Sequence, residues 1–172
     1  MIYRFPYSAP RVYSLGAMGI LCRWVLILIL LPAAGPRLWA ASAADRAFDA
    51  AAKAFHDRFY DRAEAEFADF CQKFPTSPRL AEAILLQAEA RLELTNYAGA
   101  IELLSTRQGI AGTNADQYVF WLAEAYARKG DYRAASDRFA RVAKEFPASS
   151  RCLEAGIGEA SARTALARTQ PA

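Results

Sequence analysis

Histidine occurs once in this sequence, at His56, and cysteine three times, at positions 22, 71 and 152. The cysteines form no CxxC and have no histidine at metal-ligand spacing, so nothing in the pattern supports zinc or another metal. A Ser-His-Asp or Cys-His unit would have to be built on His56, and no GxSxG elbow or other nucleophile motif accompanies it. GxGxxG and GxxxxGKS/T are both missing, which removes the phosphate-cradling loops of nucleotide sites. These absences point away from an enzyme and imply no cofactor and no small-molecule substrate. Acids are missing from the first 43 residues, which carry Arg4, Arg11, Arg23 and Arg37; beyond them 17 bases face 18 acids. The formal charge of +3 therefore belongs to the N-terminal segment. The remainder lacks the clustered basic excess that nucleic acid or an anionic membrane surface demands.

Long apolar runs are also scarce. The main one is Trp24–Leu31, extended by Pro32-Ala33-Ala34-Gly35 to twelve uncharged residues behind Arg23. A membrane-crossing helix needs about 20 such residues. The length suits the hydrophobic stretch of a secretory signal, with Arg23 as its basic flank. Ala41-Ser42-Ala43 then places small residues where a signal peptidase inspects them, so residues 1–43 read as a leader cut near Ala43. A start at Met18 gives a leader of ordinary proportions, whereas a start at Met1 gives an overlong basic flank. Cys22 follows Leu21 and precedes the apolar run, the reverse of a lipobox, so lipidation is not expected. The alternative is an uncleaved segment that tethers the chain to a membrane.

What the sequence does have is an internal repeat. Tyr60, Tyr97 and Tyr132 stand 37 and 35 residues apart. At +3 from each lies an alanine (Ala63, Ala100, Ala135), and at +7 a large apolar residue (Phe67, Leu104, Phe139). Offsets of three and seven share one helical face. Pro75 and Pro147 follow at +15 in the first and third copies, where proline ends a helix; the second copy has Gly112 there. A second periodic stretch precedes each tyrosine. It is clearest in Val119, Leu122, Ala123 and Tyr126, closed by Lys129-Gly130-Asp131. Gly130 suits a left-handed C-cap and Asp131 an N-cap for the next helix. The segment 106–112 reads as a loop.

This pattern resembles the tetratricopeptide repeat, a helix–turn–helix unit of about 34 residues. The third copy carries most of its positions: Leu122, Ala123, Tyr126, Gly130, Tyr132, Ala135, Phe139, Val142 and Pro147, with Val119 where the family prefers tryptophan. The first copy matches mainly in its second helix, and the second copy departs most. Phe74-Pro75-Thr76-Ser77-Pro78 and Phe146-Pro147-Ala148-Ser149-Ser150 further resemble junctions in bacterial envelope repeat proteins, those of the β-barrel assembly lipoprotein and of the Tol-Pal division coordinator. In such a junction Ser77 can N-cap the next helix, with Pro78 in its first turn. The expected fold is all-α: an α-solenoid of about three helix–turn–helix repeats, at 44–77, 78–113 and 114–148. A capping helix follows at 150–167, with Leu153, Ile157 and Ala160 on one face, and then a frayed tail at 168–172. A shortened copy of a longer repeat protein is the alternative reading of that end.

The resemblance implies a concave groove lined by the first helix of each repeat. Carried onto this chain, its positions are Phe48 and Phe55, then Glu82, Leu85, Glu89 and Leu92, then Gln117, Phe120 and Glu124. Such a surface suits an amphipathic helix or an extended peptide. For Phe48 and Phe55, packing between repeats is an equal alternative. No base within the set offsets Glu82, Glu89 and Glu124, so a locally acidic surface is expected. The Lys and Asn that hold a C-terminal carboxylate in the family's chaperone-binding members are not present at these positions. Cys71 and Cys152 read as packing residues about two repeats apart, and His56 as a solvated histidine. The functional expectation is an exported, periplasmic, non-catalytic scaffold that binds a protein or peptide segment, touching membrane only if its leader stays. The alternatives are a membrane-tethered assembly factor and a repeat-bearing fragment or subunit of an enzyme complex.

Overall fold

A computed structural model describes the backbone of residues 35–169 and the side chains of residues 43–169. The chain divides into two units, Met1–Ala40 and Ala41–Ala172. The apolar block Trp24–Leu31, Cys22 and the choice between Met1 and Met18 lie outside the described residues. Among those that are described there are seven α-helices and no strand: α1 Gly35–His56, α2 Tyr60–Lys73, α3 Leu80–Glu93, α4 Tyr97–Thr106, α5 Ala115–Lys129, α6 Tyr132–Glu145 and α7 Cys152–Thr169. Two short 3-10 turns, Gln108–Ile110 and Gly112–Asn114, join α4 to α5. The fold is an all-α, repeat-like solenoid of helical hairpins.

The repeat markers explain the packing. Ala63, Ala100 and Ala135 are all fully buried, as are Phe67, Leu104 and Phe139 four residues later. Alanine lets the paired helix approach, and the larger residue fills the space beyond it, contributing about 1.5–3 kcal/mol through burial. Each core then reaches one helix further than its own hairpin. Phe48 and Ala51 of α1 pack with Phe67 and Phe70 of α2 and with Ala83 and Ala90 of α3. Ile84 and Leu85 of α3 share a cluster with Leu104 of α4 and with Tyr118 and Leu122 of α5. Val119 and Phe120 of α5 pack with Ala135 and Phe139 of α6 and with Ala155 and Ala162 of α7. Stability thus passes between neighbours only, as in other stacked arrays.

The three tight turns inside the hairpins are one motif made from different residues. Arg58, Thr95 and Gly130 all have left-handed φ, at 63°, 60° and 90°. In each turn the N–H of the following residue reaches back to a carbonyl five positions earlier: Phe59 to Ala54 at 2.9 Å, Asn96 to Arg91 at 2.8 Å, and Asp131 to Tyr126 at 2.9 Å. This is the Schellman closure. Only Gly130 adopts it free of a Cβ penalty. The next helix opens differently each time. Asp131 Oδ1 accepts from the Ala134 N–H at 3.1 Å and Asn96 Oδ1 from the Gly99 N–H at 3.0 Å, while Phe59 offers no side-chain cap and is 61% exposed.

Two details differ from the sequence expectation. Ser77 does not directly precede the next helix: α3 begins at Leu80, and Ser77 Oγ accepts from the Arg79 N–H at 3.2 Å one turn before it. In α7 the expected face of Leu153, Ile157 and Ala160 is not the packed one. Leu153 and Ile157 are 77% and 61% exposed, and the buried face runs through Ala155 and Ala162. Gly158 completes that face, because a Cβ there would stand 2.6 Å from the Phe139 ring. In α3, 72 residues earlier, Ala83 and Ala90 occupy the places of Ala155 and Ala162 and are equally buried. The apolar residues of α7 face a side that α4 and α5 cover in the case of α3.

Candidate functional site

The nine groove positions separate into a buried set and a polar set. Phe48 is 1% exposed, with ring contacts to Phe67 at 5.5 Å and Phe70 at 5.6 Å. Leu92 is equally buried against Ala100 and Ala125. Phe120 is 5% exposed, with its ring 5.8 Å from Phe139 and 5.5 Å from Trp121. These three are core residues and offer a partner little surface. Leu85 is nearly buried beside Ile84, Tyr118 and Leu122. Phe55 is half-buried at the first hairpin turn, its ring 5.5 Å from Tyr60. The physical reason is that a first helix packs on two sides, against its own partner and against the next hairpin. More of its circumference is buried than a single groove face leaves free.

Glu82, Glu89, Gln117 and Glu124 remain partly exposed. No base within the set meets them, but three arginines from outside it reach Glu82, Gln117 and Glu124 and reduce the expected acidity. Arg79 pairs with Glu82 at 3.1 Å. Arg128 lies 3.8 Å from Glu124 and closer, at 3.0 Å, to Glu93. Arg151 donates to Gln117 Oε1 at 3.0 Å and pairs with Glu154 at 2.6 Å. Glu89 makes no hydrogen bond or ion pair among the described residues. Burial among apolar neighbours lifts its carboxyl from 4.5 to about 7, with Arg151 acting in the opposite direction. Burial also raises the Glu124 carboxyl, against the pull of Arg128.

Arg79 and Arg151 are joints as well as bases. The Arg79 guanidinium lies 3.4 Å above the Phe48 ring and pairs with Asp49 at 3.0 Å. Arg151, 72 residues on, lies 4.9 Å from the Phe120 ring, itself 72 residues from Phe48, and 5.5 Å from Trp121. Ser149 Oγ accepts from the Arg151 N–H at 3.1 Å, as Ser77 does from Arg79. Each arginine thus covers an aromatic of the preceding hairpin while opening the next helix, a cation–π contact of about 0.5–2 kcal/mol. Neither residue was in the sequence-derived set. Their signal was available as Ser-x-Arg recurring after both Phe-Pro junctions.

A cleft of about 530 Å³ opens between α5, α6 and α7, with Phe120, Phe139 and Ala162 lining its apolar side and Glu124, Glu154 and Tyr132 bringing polar groups to it. No cluster of three or more His, Cys, Asp or Glu placed to hold a metal occurs among the described residues. Nor is any described helix long and apolar enough to cross a membrane. Cys71 and Cys152 are both free, and burial raises the Cys71 thiol. No family model matches the chain, and comparison with curated proteins finds no match.

Proposed function

We propose that the chain is a tetratricopeptide-type repeat protein, exported to the bacterial periplasm, that acts as a non-catalytic scaffold. It binds a protein or peptide segment along the first-helix face of α3 and α5. The observation that carries this reading is Glu89, a partly exposed carboxyl on that face that makes no hydrogen bond or ion pair among the described residues. A cationic group on an incoming segment would give this carboxyl the partner it lacks and offset its partial desolvation. The segment is therefore basic, with an apolar residue that can rest against the half-buried Phe55 at the end of α1.

The test is capture from envelope extract with wild-type, Glu89→Lys and Arg141→Glu proteins at two salt concentrations. A partner held by wild type and Arg141→Glu, but lost on Glu89→Lys and weakened by salt, supports the reading. Equal capture by all three removes it. Export is tested by N-terminal sequencing of the protein from its host. A cut near Ala43 lies inside α1 and keeps Ala44, Phe48, Ala51 and Ala54, the side chains that pack on α2. A chain that starts at Met1 or Met18 and sediments with membrane would replace the periplasmic form by a tethered one.

A further inference from the structure

The cleft beneath α7 exists because small residues replace large ones. Alignment of the first helices, with offsets of 37, 35 and 37 residues, places Ala127 of α5 where α1 has Phe55 and α3 has Leu92. It places Ser161 of α7 where α3 has Glu89 and α5 has Glu124. In the earlier hairpins those larger side chains are at least half-buried, and Leu92 is 1% exposed. At the third hairpin the corresponding volume lies open between Phe120, Ala127 and Ala162. Its electrostatics are also incomplete. Arg128 sits closer to Glu93 than to Glu124, at 3.0 Å against 3.8 Å, so Glu124 is only loosely compensated at the edge of the cleft. Glu154 stands on the opposite side with Arg151. The charged residues that line the cleft are Glu124 and Glu154.

We infer that the cleft between α5, α6 and α7 receives one large apolar side chain of a bound peptide, and that a Lys or Arg adjacent to it meets Glu124. This rests on the scaffold reading and names the anchor that such a scaffold recognises. The apolar group occupies the volume beside Ala127 that Leu92 fills from within in the preceding hairpin. The neighbouring cation supplies the charge that Arg128 divides between two carboxylates.

Three capped dipeptides test this on the full chain by two-dimensional NMR: acetyl-Trp-Lys-amide, acetyl-Trp-Glu-amide and acetyl-Ala-Lys-amide. The Trp-Lys probe should give saturable shifts at Ala127, Ser161 and Ala162. The Trp-Glu probe should bind at least five-fold more weakly, and the Ala-Lys probe should not saturate. Ala127→Leu, which restores the residue of the preceding repeat, should weaken the Trp-Lys probe at least ten-fold. Ser161→Leu, an exposed change on α7, should weaken it similarly if the first variant folds poorly. Binding of Trp-Lys that survives both substitutions, or Ala-Lys binding as tightly as Trp-Lys, overturns the proposal. If no probe binds while partner capture still depends on Glu89, the cleft fails and the scaffold reading stands. If capture is also insensitive to Glu89, both fail.

Discussion

The chain passes from one hairpin to the next in two ways. After α2 and after α6 it uses Phe-Pro, a serine that holds the next turn, and an arginine laid over an aromatic of the hairpin it leaves. After α4 it uses none of these. The connection instead runs through two 3-10 turns, with Ala111 buried between them. Tyr118, 1% exposed, donates its hydroxyl to the Ala81 carbonyl at 2.9 Å. Where Tyr118 stands in α5, α3 has Ala83 and α7 has Ala155, by the same offsets of 35 and 37 residues. A large ring in place of an alanine must be accommodated, and the longer connection accompanies it. At two joints the register is set by a side chain on the outside; at the third it is set by a ring inside the core.

The sharpest way to break this contrast is Tyr118→Ala. It removes a buried ring and leaves the Ala81 carbonyl without its donor, so denaturant unfolding should show a loss of about 3–5 kcal/mol. Tyr118→Phe should cost about 1 kcal/mol, separating the hydroxyl from the ring.

Glu89, in the α3 helix between the two kinds of joint, gives the next effect. The folded chain holds its proton more tightly than the unfolded chain does. That contribution is complete below pH 4.5 and is lost as pH rises through about 7. Stability should therefore fall across this window. Glu89→Gln should flatten the slope and gain roughly 1–2 kcal/mol at pH 8, the range allowing for partial solvent screening. A wild-type midpoint that does not change between pH 4.5 and 7.5 would count against the buried position of this carboxylate.

The outer joints should yield less. Arg79→Met and Arg151→Met keep the aliphatic stem and remove the guanidinium, with an expected loss of about 1–2 kcal/mol each and additive effects in the double variant. Losses equal to that of Tyr118→Ala would erase the distinction between outer and inner joints. The smallest change concerns the turns inside the hairpins. Thr95→Gly relieves a β-branched residue at φ 60° and should stabilise by about 0.5–1 kcal/mol, whereas Gly130→Ala should destabilise by about the same amount. Thermal melts of the pair should move in opposite directions.

These contrasts also mark how far the sequence can be read. The alanines at +3 and the apolar residues at +7 announce the helices, because each packs against a neighbour at fixed spacing. The left-handed turns at Arg58 and Thr95 were not legible, because only Gly130 advertises that backbone; the other two are held there by the closure around them. The groove was half legible. Glu82, Glu89, Gln117 and Glu124 could be placed on the first helices, yet periodicity does not say which of a helix's two apolar flanks meets its hairpin partner and which meets the next one. Phe48, Leu92 and Phe120 were lost to the core for that reason. Leu153 and Ile157 erred in the opposite direction: their spacing is that of a packed face, and no described element covers it.

The 72-residue recurrence makes the joint interchangeable. The surface that α3 meets on the first hairpin, through Phe48, Ala51, Ala63 and Phe67, is matched by the one α7 meets on the third, through Phe120, Ala123, Ala135 and Phe139. A second pass of residues 80–151 spliced after Arg151 would begin on the seat it occupies at its first pass and end on another Ser-x-Arg ready for α7. In polymer terms the array has a two-hairpin monomer unit with matching ends, and its length is a variable that the joint does not fix.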